Sequence, residues 1–78
     1  MNPKVLVCGI FNCYKIYIND ILHLYLRNIH ELLSIQSWID GGNNKFWIEY
    51  TYKSGMKILT EYEDYELFCE ILKQLDAL

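Results

Sequence analysis

The stretch Lys45-Phe46-Trp47-Ile48-Glu49-Tyr50-Thr51-Tyr52-Lys53-Ser54-Gly55-Met56-Lys57-Ile58-Leu59-Thr60-Glu61-Tyr62 decides the fold. Two runs of aromatic and β-branched residues flank Lys53-Ser54-Gly55, and glycine tolerates the positive φ that a tight hairpin needs. The register follows from loop length, because a one-residue slip moves every side chain of a strand to the other face. A two-residue loop at Ser54-Gly55 would set Tyr50 opposite Leu59, Tyr52 opposite Lys57 and Ile48 opposite Glu61, mixing charge into the apolar row. A three-residue loop with Gly55 in the left-handed position sets Tyr52 opposite Met56, Tyr50 opposite Ile58, Ile48 opposite Thr60 and Phe46 opposite Tyr62. One face is then consistently apolar. The other carries Glu49, Thr51, Lys57 and Glu61 together with Trp47 and Leu59, two side chains that a purely solvating surface does not require.

Upstream, the cluster Asp40-Gly41-Gly42-Asn43-Asn44 marks a turn, and Leu33 to Ile39 alternates into it as a strand does. Placing Ile39 opposite Phe46 extends the apolar face with Leu33, Ile35, Ser37 and Ile39. It also sets Trp38 opposite Trp47 on the outer face, with Gln36 opposite Glu49 and Ser34 opposite Thr51. Between Asp20 and Ile39 helical and alternating spacings compete, since Leu22, Tyr25, Leu26 and Ile29 fit one and Leu22, Leu24 and Leu26 the other. Strand from about Leu22, a turn near Asn28 to Glu31, and strand to Ile39 is the favoured reading over one long helix capped by Asp20. Lys4 to Phe11 and Tyr14 to Ile18 read as two more strands, joined by a tight hairpin at Asn12 or forming one long bent strand. From about Glu63 to Leu75 the residues Tyr65, Phe68, Cys69, Leu72 and Leu75 follow helical spacing. Glu63, Asp64 and Glu66 sit where carboxylates favour the helix dipole. The expected fold is α+β: one domain, residues 1–78, with a small antiparallel sheet of four to five strands covered on one face by a C-terminal helix.

The chain has 78 residues, 53% of them hydrophobic and 15% aromatic, and a formal net charge of −3. A domain this small buries only about 60–65% of the surface its unfolded chain exposes, which leaves little room for an internal active-site cavity. Acidic balance and dispersed lysines argue against a phosphate-backbone binder, which relies on clustered Lys and Arg. Six of the acids lie between Glu61 and Asp76, opposed only by Lys73. That end reads as a solvated helix face with a negative field.

Cys8, Cys13 and Cys69 are an odd number with no paired CxxC, and read as reduced, buried thiols in a cytoplasm. Val5-Leu6-Val7-Cys8-Gly9 resembles a lipoprotein cleavage site, but Val7 is too large for it and Met1 to Lys4 too short a charged region. No apolar run approaches membrane-spanning length. Nucleophilic chemistry would need Cys8, Cys13, Cys69, Ser34, Ser37 or Ser54 beside His23 or His30, and no recognised frame surrounds any of them. His23 and His30 lack a zinc-ligand spacing, and one or both are expected on the polar face of a strand. Glu61, Glu63, Asp64 and Glu66 lack the pattern of a calcium loop, and Gly41-Gly42 leads to no phosphate cradle. The expectation is a protein that is not an enzyme, with no catalytic residue, metal or cofactor.

Tyr25-Leu26-Arg27-Asn28-Ile29, Leu33 to Ile35, Lys45 to Tyr50 and Lys53 to Lys57, followed by an acidic helix, resemble small hairpin-and-helix proteins of low-GC bacteria and their phages. That group includes anti-CRISPR-type inhibitors, and the resemblance implies a viral protein that binds and blocks a host defence protein. The residues themselves indicate a binding module whose partner-binding anchor is Trp38, Trp47 and Leu59, with Glu49 and Glu61 nearby. A homodimer or other homo-oligomer competes for the same surface, and a small thiol enzyme or hydrolase using Cys8 or Cys13 is the contrast from another class.

Overall fold

The structure, a computed structural model, describes residues 3–78. The leader-like reading of Met1 to Lys4 therefore falls partly outside the described residues. The chain is α+β, and among the described residues the strands number six rather than four or five: β1 (Val5–Ile10), β2 (Cys13–Ile18), β3 (Ile21–Arg27), β4 (Leu32–Asp40), β5 (Lys45–Tyr52) and β6 (Lys57–Tyr62), followed by α1 (Tyr65–Asp76). They form two antiparallel sheets of three, β1-β2-β3 and β4-β5-β6, instead of one. The short turn Ile29–Glu31 joins them.

Local backbone chemistry explains the division. Phe11-Asn12 and Asn19-Asp20 all have positive φ, so each pair makes a two-residue turn whose twist suits a tight hairpin. The hairpin alternative at Asn12 is the one realised, with Ile10 opposite Cys13. The 45–62 hairpin has the three-residue loop, with Gly55 at φ 94° and the Tyr52 amide donating to the Met56 carbonyl at 2.9 Å. Phe46 faces Tyr62, Ile48 faces Thr60, and Tyr50 faces Ile58. Between β4 and β5, Trp38 faces Trp47, Gln36 faces Glu49, Ser34 faces Thr51 and Ile39 faces Phe46.

The inner row expected on β4 needs correction. A bulge between Leu32 and Ser34 turns Leu32 onto Tyr52 and loops Leu33 out, 65% exposed. Ile39, 60% exposed, lies where no second layer covers the sheet, and Ser37 is exposed as well. Of that row only Ile35 packs against the core. The helix begins two residues later than expected. Asp64 caps it, accepting from the Leu67 amide at 3.2 Å, while Glu63 stays outside and bonds Lys45.

The core lies between the two sheets. Val7, Ile16 and Leu26 from the first meet Phe46, Ile48, Tyr50 and Tyr62 from the second, and Phe68 and Ile71 of α1 complete it. The helix runs along β1, whose outer edge has no strand partner. Gln74 supplies one: its side-chain oxygen accepts from the Val7 amide at 2.8 Å and its nitrogen donates to the Val5 carbonyl at 2.7 Å. One amide side chain thus imitates the peptide group of a neighbouring strand and closes an edge otherwise open to pairing. Gln74→Leu should lower stability by about 1–3 kcal/mol, because a largely buried amide loses its partner. Urea titration, with faster hydrogen exchange at Val7, checks this.

Tyr50 is wholly buried, and among the described residues its hydroxyl has no well-aligned hydrogen-bond partner; the nearby Thr60 hydroxyl donates instead to the Ile48 carbonyl at 3.1 Å. Burial pushes the Tyr50 phenol far above its ordinary value. An orphaned buried hydroxyl costs about 1–3 kcal/mol. Tyr50→Phe should therefore leave stability unchanged or raise it, and a clear drop in the urea midpoint would show that the hydroxyl has a partner.

Candidate functional site

Along β5 burial alternates strictly, with Phe46, Ile48, Tyr50 and Tyr52 inward and Lys45, Trp47, Glu49 and Thr51 outward. The outward set lies in the middle of a three-stranded face that α1 and the first sheet leave uncovered, since both pack on the opposite side. Cross-strand pairing brings the five residues singled out in the sequence into two adjacent rows of this face. Trp38, Trp47 and Glu61 form one, and Glu49 and Leu59 lie in the next, beside Gln36.

The first row is held by a specific bond: the Trp47 indole N–H donates to the Glu61 carboxylate at 3.0 Å. Glu61 is also 3.5 Å from the Lys45 ammonium, and Lys45 in turn bonds Glu63. The hydrogen bond to Glu63 raises the Lys45 pKa and lowers that of Glu63. These charges are solvated and add little stability. Their effect is to fix the Trp47 ring while Trp38 stays 45% exposed and Leu59 58% exposed. In the second row Glu49 accepts from the Thr51 hydroxyl at 3.4 Å and lies 3.9 Å from Lys57. The face therefore interleaves aromatic and aliphatic side chains with oriented carboxylates, Glu49 on the central strand and Glu61 on β6.

The other residues weighed for chemistry are dispersed. Cys8 and Cys13 lie on β1 and β2, Cys69 on α1, and all three are free thiols, half-buried rather than fully buried. The Cys13 thiol donates to the Ile10 carbonyl at 2.8 Å. His30 lies in the Ile29–Glu31 turn rather than on a strand, 3.4 Å from Glu31. Among the described residues no group of three or more His, Cys, Asp or Glu is placed to hold a metal ion, and no helix is long and apolar enough to cross a membrane.

His23 has a role the sequence did not announce. It sits on β3 at a bulge in the pairing with β2, and its Nε2 hydrogen-bonds the Tyr62 hydroxyl at 2.9 Å, linking the two sheets. A bulge gives no alternation signal, so the link was not readable from spacing. Partial burial against Tyr62 lowers the His23 pKa below its ordinary 6.5. A histidine with a depressed folded-state pKa contributes stability that is present above the unfolded value and lost as pH falls below it. The thermal midpoint should therefore drop between pH 7 and pH 5.5, and His23→Gln should flatten that limb. The carboxylates held below their usual range, Asp40 and Glu63, titrate at lower pH and leave this window clear.

No family model, curated protein or solved structure matches the chain.

Proposed function

We propose that the protein is a non-enzymatic binding module that docks on a larger protein through the outer face of β4–β6. The observation that carries this reading is the Trp38–Trp47 pair, side by side across two strands and facing solvent, with the Trp47 indole fixed by Glu61. Holding a tryptophan in one orientation before contact reduces the side-chain entropy lost on binding. Tryptophan is also the residue most enriched among binding hot spots, where truncation costs about 2 kcal/mol or more. A sheet face that alternates exposed aromatic and aliphatic side chains with charged ones fits a protein surface better than a small molecule, which needs a concavity. The docked protein acts as an inhibitor or regulator in the cytoplasm, directed at a host defence protein in the reading that the anti-CRISPR-type resemblance supports.

Trp38→Ala and Trp47→Ala should each weaken partner binding about 30-fold, the equivalent of roughly 2 kcal/mol. Both should leave the fold intact, since neither side chain belongs to the inner core. Affinity capture from host lysate followed by calorimetry on the purified partner reads this out. Equal recovery with all three baits would remove the face from consideration. Self-association of the wild type that Trp47→Ala abolishes would assign it to a second copy.

A further inference from the structure

The opposite outer face, on β1–β3, is more apolar and differs in sign. Leu6, Ile10, Leu22 and Tyr25 are each more than 40% exposed there. The middle row is Cys8, Lys15 and Tyr25. Across residues 6–10, 13–17 and 22–27 there is no carboxylate, and the fixed charges are Lys15 and Arg27, in a chain whose net charge is −3. Both cations lie over Tyr25, the ammonium 5.5 Å and the guanidinium carbon 5.2 Å from its ring centroid.

Phe11 stands at the tip of this face, at φ 50° and 96% exposed. Two-residue turns of this kind favour Asn, Asp or Gly, and a bulky residue in the left-handed region is strained. The neighbouring hairpin follows the rule with Asn19-Asp20. The first departs from it to hold an aromatic ring in water, beside a recess of about 330 Å³ lined with Cys8, Cys13, Lys15 and Tyr25. Strain of this sort, with no burial to offset it in the fold, is characteristic of functional positions.

We propose that the outer face of β1–β3 is a second docking surface, for a protein that presents an apolar recess bordered by carboxylates. Phe11 enters the recess, and the carboxylates meet Lys15 and Arg27. A two-fold contact with another copy through this face would bring Lys15 and Arg27 of both copies together on strands that carry no carboxylate, with Glu31 only at the Tyr25–Arg27 margin, so the charge pattern points to a different protein. The inference is independent of the tryptophan face, which lies on the other side of the core.

The test combines stability with binding. Phe11→Asn should raise the thermal midpoint, and a fall would make Phe11 a structural residue and overturn the proposal. In capture from the source cells with wild type, Phe11→Asn, the Lys15→Glu, Arg27→Glu double variant and Trp47→Ala as baits, one protein should be lost at least ten-fold from the second and third but kept by Trp47→Ala. Once purified, that protein should bind wild type less tightly as salt rises, and substituting lysine for its interfacial carboxylates should restore binding to the double variant. A capture set unaffected by the Phe11 and cation variants overturns the proposal. So does loss of the captured protein with no salt dependence, or a wild-type dimer that Lys15→Glu dissociates.

Discussion

Each of the two sheets has three strands and one face that must leave water, and neither could bury that face alone. The shared core is the constraint on which the rest depends. Ile16 and Leu26 from one sheet and Ile48 and Tyr50 from the other are wholly removed from solvent, with Phe68 and Ile71 of the helix among them. Because this contact uses one face of each sheet, the other two faces are left outside by construction. The tryptophan strip and the Phe11 face are both consequences of that two-sheet arrangement.

Polar links hold the two sheets in relation to one another where apolar contact ends. The Tyr52 hydroxyl donates to the Arg27 carbonyl at 2.7 Å, His23 meets Tyr62, and the Lys53 amide donates to the Glu31 carbonyl at 2.8 Å. The first two sit between β3 and the 45–62 hairpin and the third between that hairpin and the Ile29–Glu31 turn, a boundary that no strand ladder crosses among the described residues. On the other side of the molecule Gln74 does the corresponding work between β1 and the helix.

Much of this was legible in the residues. The alternation from Phe46 to Tyr62 and the position of Gly55 fixed one register, and setting Ile39 opposite Phe46 across the Asp40–Asn44 turn placed Trp38 beside Trp47. The strand-turn-strand reading of residues 22–39 rested on the same period. Where alternation carries no information, the reading stopped. On β1 apolar residues occupy both parities, Val5 and Val7 inward and Leu6 and Ile10 outward, so nothing marked which side was the core. The bulges at Leu33 and His23 each displaced one residue from its expected face. A glutamine on an amphipathic helix gives no sign that it will serve as a strand edge, and a tryptophan gives none of the carboxylate that will orient it.

The bond between Gln74 and Val7 joins residues 67 positions apart. The edge of β1 therefore stays unpaired until the helix has formed and docked along it. The helix also brings Phe68 and Ile71, so the core shared by the two sheets is incomplete until it docks. Closure of that edge is therefore a long-range step in folding, and the interval before it is when an exposed strand edge is most open to mispairing or chaperone capture.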